Sequence, residues 1–178
     1  MSQFVDLKLR GNDRRTAWCQ ENSVGTDLYR DGMARLDAGD VAEARRLLEE
    51  ALRKSPGDVA VMHGLSRVLD QAGERARSVE LLEHAHARAP SEPGPAHDLA
   101  MALLEREEDV RAVQVLTPVL EAHPEDTRAH LFMAMALAKS DAARARIHTA
   151  KALMDSDPDV KLQAQALDDV LAEHQRLS

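Results

Sequence analysis

The chain has 178 residues, of which 44% are apolar, 2% aromatic and 30% charged, and its formal net charge is −8. This acidic balance argues against general nucleic-acid binding, which depends on clustered Lys and Arg. No apolar run approaches the roughly 20 residues of a membrane span, the N-terminus lacks the apolar core of a signal peptide, and Cys19 is the only cysteine. These features predict a cytoplasmic protein that binds neither nucleic acid nor membrane.

Residues 1–24 precede the regular pattern and are predicted to form an irregular N-terminal arm. Val5, Leu7 and Leu9 alternate with polar residues, as in a short strand. A lone strand must pair with a partner's sheet edge or with a second copy, and otherwise the arm stays flexible. Trp18 is expected to pack against the first repeat, with an anchor for a partner as the second possibility.

Four prolines, Pro56, Pro90, Pro124 and Pro158, are spaced 34 residues apart and mark a repeat. The same order of small and bulky residues recurs between them, and the predicted units are 25–58, 59–92, 93–126 and 127–158. Small residues let paired helices approach, and bulky residues fill the space between neighbours. The fourth unit fits less well, because Arg146 stands where a small residue is expected; its predicted packing positions include Ala150 and Leu153.

This pattern resembles the tetratricopeptide repeat family over residues 25–158. The resemblance implies an all-α, right-handed α-solenoid of helix–turn–helix units, with residues 159–178 as a C-terminal capping helix. In this family the first helices of successive units line a concave groove that binds a partner. The family register places ten residues there: Tyr29, Met33, His63, Arg67, His97, Met101, Arg128, Leu131, Phe132 and Met135.

The sequence carries no motif for catalysis. It has no Gly-rich phosphate loop, serine elbow or CxxC motif. His84 and His86 point in different directions on a helix, and His63 with His97 lacks a third ligand. We therefore predict a protein that is not an enzyme, with no catalytic residue, no metal site and no cofactor.

The predicted function is that of an adaptor or scaffold that binds a peptide or helix of another protein in the groove. Two alternatives stay open, namely a regulatory subunit of a separately encoded enzyme, as in bacterial repeat proteins paired with proteases or kinases, and a homo-oligomeric scaffold. The acidic run from Glu105 to Asp109 is either a contact for a basic partner or a solvated helix end.

Overall fold

The computed structural model describes the backbone of residues 25–177 and the side chains of residues 25–173. The predicted N-terminal arm, with Trp18 and Cys19, lies outside this range. Within it, nine helices occur and no strand, so the all-α prediction is confirmed. The helices are α1 (25–37), α2 (Val41–Lys54), α3 (Val59–Gln71), α4 (Arg75–Arg88), α5 (Pro93–Glu105), α6 (Asp109–Ala122), α7 (Thr127–Leu137), α8 (Ala142–Ala152) and α9 (Pro158–Leu177).

The chain divides into two compact units, one ending at Leu81 and one starting at Leu82. The first contains α1 to α3 and the beginning of α4. The second contains the rest of α4 and α5 to α9, in which α5, α6, α7, α8 and α9 pack in sequence and α7 also contacts α5 and α9. Of the helices described, none combines the length and the hydrophobicity that crossing a bilayer requires.

The second helices of the first three repeats bury the same face. Leu48, Leu82 and Leu116 occupy equivalent positions on α2, α4 and α6 and are almost fully buried. The residue four positions before each leucine is small and buried, and the residue three positions after it is aliphatic. Each helix therefore buries one apolar stripe. These flanking residues are Ala44 and Ala51, Ser78 and Ala85, and Ala112 and Val119.

The register of the fourth unit differs from the prediction by one residue in α8. The backbone N–H of Ala145 donates to the carbonyl oxygen of Asp141 (2.9 Å), as that of Ala112 donates to Glu108 (3.1 Å). The segment from α7 to α8 is thus one residue shorter than its counterpart. Ala145, and not Arg146, is the small buried residue.

The same shift corrects the other packing positions of α8. Thr149 and Ala152 are fully buried, whereas the predicted Ala150 is exposed and Leu153 only partly buried. The hydroxyl of Thr149 donates to the carbonyl oxygen of Ala145 (2.9 Å), which satisfies its polar group inside the core.

Three helix–helix turns use a residue with positive φ at the same position of the repeat. Gly39 and Gly73 both have φ of 79°, and Glu107 has φ of 58°. In each turn the following N–H bonds back across the helix end, as Glu108 does to the carbonyl of Leu103 (2.9 Å). The left-handed conformation suits glycine, and a residue with a Cβ is strained there.

Replacement of Glu107 by glycine is therefore expected to raise the free energy of unfolding by about 0.5–1 kcal/mol. Urea unfolding followed by far-UV circular dichroism measures this change. The reverse substitution, Gly73→Glu, is the matched control and should lower stability by a similar amount. A less stable Glu107→Gly protein would contradict this account of the turn.

Candidate functional site

The first compact unit, which ends at Leu81, contains four of the predicted groove residues. They fall into two classes. Tyr29 and Met33 on α1 are partly buried and pack against the core. They lie over Gly64 of α3, where a Cβ would stand 2.9 Å from the Met33 sulfur and 3.2 Å from the Tyr29 ring. The glycine thus lets α1 lie close to α3. His63 is partly exposed and Arg67 exposed, so these two are the accessible members.

In the second compact unit, which starts at Leu82, α5 and α7 lie side by side. They bring most of the other predicted residues to one face. Met101 on α5 and Met135 on α7 stand at equivalent positions, and 46% and 41% of their surfaces are exposed. The rings of His97 and Phe132 meet edge to face with centroids 6.0 Å apart. An exposed thioether pair beside an aromatic contact is an adaptable apolar surface.

A carboxylate lies beside His97. Oδ2 of Asp126 lies 3.0 Å from Nε2 of His97, close enough for an ion pair although outside hydrogen-bond geometry. The other oxygen of Asp126 accepts from the backbone N–H of Ala129 (2.9 Å) and caps α7. Burial favours the protonated form of Asp126, but the His97 ring and the Ala129 N–H together hold its pKa below the ordinary value.

Arg128 and Leu131, the other two predicted residues on α7, differ in accessibility. The guanidinium of Arg128 contacts Asp157 (3.4 Å), and about half of this side chain is exposed. Leu131 is only 1% exposed and packs with Ala152, Val160 and Ala164. The prediction that Leu131 lines a binding surface is therefore wrong, because α9 covers the position.

Two histidines of the second compact unit form a contact that their spacing in the sequence did not indicate. Nδ1 of His130 on α7 lies 2.7 Å from Nδ1 of His148 on α8, and Nε2 of His130 lies 3.0 Å from the carbonyl oxygen of Pro124. A carbonyl only accepts, so Nε2 of His130 carries a proton. With both rings neutral, the state that their lowered pKa values favour, Nδ1 of His130 accepts from Nδ1 of His148.

The environment of the pair favours these neutral forms. Burial is the main cause that lowers both pKa values, and the nearby charge of Lys151 acts in the same direction. For His148 the pKa falls from 6.5 to about 4, with further contributions from His130 and Arg144. For His130 the carbonyl of Pro124 and the acids Asp126 and Glu125 partly oppose the shift.

The acidic run lies at the rim of a cleft of about 540 Å³ between the start of α6 and the end of α7. Val110, Val113, Ala136 and Leu137 contribute its apolar lining. Much of the rim charge is compensated, because Arg111 contacts Glu108 (2.5 Å) and Glu83 (2.6 Å), and Lys139 contacts Asp109 (3.7 Å). This pairing favours the interpretation of a solvated helix end.

The sequence interpretation missed the residues that hold this face in place. Asp126 stands two residues after Pro124, and Asp157 stands one residue before Pro158. Polar residues beside a proline at a unit boundary are expected to cap the next helix, but this signal does not show that they contact His97 and Arg128. No sequence signal indicated the His130–His148 contact. Among the described side chains, no group of three or more His, Cys, Asp or Glu residues is placed to hold a metal ion.

Several solved structures are similar to this chain in fold. MamA from residue 41 to its end, from Desulfovibrio magneticus RS-1, is 22% identical with a TM-score of 0.64 and matches 86% of this chain and 97% of that one. TTC0263, a thermophilic TPR protein of Thermus thermophilus, is 20% identical with a TM-score of 0.67, covering 80% of both chains.

An O-GlcNAc transferase of Thermobaculum terrenum is 23% identical with a TM-score of 0.64, but its match covers 75% of this chain and only 26% of that one. A comparison with curated proteins found no match. The family model for the tetratricopeptide repeat matches residues 35–85 and 71–136. These matches extend over more than half of the sequence, and the chain therefore belongs to the tetratricopeptide repeat family.

Proposed function

We propose that this protein is an interaction adaptor whose α5–α7 face, formed by His97, Met101, Arg128, Phe132 and Met135, binds a helix or peptide of another protein. Repeats of this family stack into extended binding surfaces, which supports a protein partner in general. The observation that carries the proposal is the exposure of Met101 and Met135 at equivalent positions of two adjacent helices. His63 and Arg67, which lie in the first compact unit, stay predicted binding residues of that unit.

The spacing of the two methionines suggests the form of the partner. Axes of packed helices lie roughly 8–10 Å apart. Two turns of an α-helix rise roughly 10–11 Å, so a partner helix that crosses α5 and α7 would offer apolar residues at i and i+7. The unbranched methionine side chains adapt to either a leucine or an aromatic residue.

Polar groups at the border of the face would set the orientation of the partner. His97 is held by Asp126, and Arg128 contacts Asp157 while keeping an exposed guanidinium. Each therefore already has a carboxylate neighbour that limits its orientations before a partner binds. The proposal includes a cytoplasmic location, no catalytic activity and no nucleic-acid partner, on the grounds of the acidic net charge and the absence of catalytic motifs.

An affinity pull-down from an extract of the source cell tests the proposal. The native protein is compared with the double variant Met101→Glu and Met135→Glu. We expect a stoichiometric partner on the native protein and at least about tenfold less on the variant, because two charges would be buried at the contact.

The matched control replaces Ile147 and Met154 by glutamate, since both are exposed apolar residues of the same unit outside the face. Equal recovery of the partner by all three proteins, or equal loss in both variants, would contradict the proposed surface. A captured enzyme whose activity changes on binding would identify a regulatory subunit. Capture of the chain itself alone would identify a homo-oligomeric scaffold.

A further inference from the structure

The last helix, α9, carries an apolar stripe on its exposed side. Leu162 is 71% exposed and Val170 63% exposed, and Ala166 between them is also exposed. The spacing i, i+4 and i+8 places all three on one face of the helix. The buried side of α9 is formed by Val160, Ala164 and Leu171, so the stripe is additional to the face that packs on α7 and α8.

The internal repeat shows what kind of group this stripe contacts. The N–H of His130 donates to the carbonyl of Asp126 (3.0 Å), and that of Lys161 to the carbonyl of Asp157 (3.1 Å). Leu162 in α9 is therefore the equivalent of Leu131 in α7. Leu131 is covered by Val160 and Ala164, an i, i+4 pair on α9, together with Ala152 of α8. In the described chain no further helix covers Leu162.

Three acidic side chains border the stripe, and Lys161, one residue before Leu162, is exposed beside it. The three acidic residues, all exposed, are Asp159, Asp169 and Glu173. Within the side chains described, none of the three forms an ion pair, although Asp169 accepts a hydrogen bond from Gln165 (3.1 Å). Two α9 helices from two copies would bring like charges together at the ends of the stripe, which disfavours self-association through this face.

We infer that the Leu162–Ala166–Val170 stripe is a second docking surface, which takes a helix of a partner protein with small or β-branched apolar residues at i and i+4 and Lys or Arg around them. The apolar pair would cover Leu162 as Val160 and Ala164 cover Leu131, and the basic residues would face Asp159, Asp169 and Glu173. This surface is distinct from the α5–α7 face and does not depend on the function proposed for that face.

A designed peptide tests this inference. The probe is a fluorescent Ala-based helix of about 18 residues, long enough to be helical alone, with Val and Ala at i and i+4 and lysines on both sides. Its twin carries glutamates in place of the lysines. Fluorescence anisotropy should show binding of the lysine peptide that weakens with salt, and at least about tenfold weaker binding of the twin.

Two variants separate the stripe from general attraction to an acidic protein. Leu162→Gln with Val170→Gln should weaken the lysine peptide at least about tenfold, whereas Met154→Gln, another exposed apolar residue, should leave it unchanged. Equal binding to both variants, or no binding to the native chain, would overturn the inference. So would a dimer of the native protein in sedimentation equilibrium that the stripe variant dissociates, because the occupant would then be a second copy.

Discussion

Replacing Ala152 by arginine is expected to lower the free energy of unfolding by at least about 3 kcal/mol, whereas the same substitution at Ala150 should change it by no more than about 0.5 kcal/mol. Ala152 is fully buried against Leu131, Val160 and Ala164. Arginine there would bury an unpaired charge and separate α8 from α9. Ala150, two residues earlier on the same helix, is exposed, and arginine is a good helix former.

Urea unfolding followed by far-UV circular dichroism measures both variants. The pair tests the one-residue shift in α8 directly, because the register expected from the 34-residue period buries Ala150 instead. Loss of stability in Ala150→Arg with little effect in Ala152→Arg would contradict the structural register. The ratio of the two effects is more informative than either alone, since the substitution and the helix are the same.

The His130–His148 pair is expected to make stability depend on pH. Both pKa values are lowered in the fold, that of His148 from 6.5 to about 4, so the unfolded chain binds protons more readily. The contribution is therefore complete above pH 6.5 and is lost as the pH falls towards 4. At about 1.4 kcal/mol per unit of pKa, roughly 3 kcal/mol is the upper bound of the loss for His148, and solvent screening of this partly buried ring makes the loss smaller.

Unfolding measured between pH 7 and pH 4 tests this dependence against the variant His148→Gln. Glutamine can still donate to Nδ1 of His130 but does not titrate. Protonation of carboxylates affects both proteins alike, so the difference between their pH profiles reports the histidine. Identical slopes for the native protein and the variant would show that the pair does not resist protonation.

The sequence carries enough information for the fold because the packing positions repeat. Leu48, Leu82 and Leu116 each lie between the same small and aliphatic residues, and the prolines fix their phase. The fourth unit departs from this rule, because its α7–α8 turn is one residue shorter and Pro158 is the first residue of α9, whereas Pro124 stands two residues before the cap Asp126. The 34-residue spacing of the prolines therefore hides the shift, which the backbone hydrogen bond from Ala145 to Asp141 reveals.

The candidate site was less predictable than the fold. A family register assigns a residue to a helix face, but exposure also depends on which helix follows. Leu131 is buried because α9 covers it, and its equivalent Leu162 is exposed because no helix of the described chain does so. The register likewise does not show that Tyr29 and Met33 pack over Gly64, since that depends on the distance between α1 and α3.

The most direct test of the central claim, that the α5–α7 face binds a protein partner, is hydrogen–deuterium exchange of the complex with the partner recovered in the pull-down. Peptides from α5 and α7 should exchange more slowly in the complex, because a bound partner restricts the opening of the helices it contacts. Those from the second helices α6 and α8 should change little. Protection confined to other parts of the chain, with α5 and α7 unchanged, would contradict the assignment of this face.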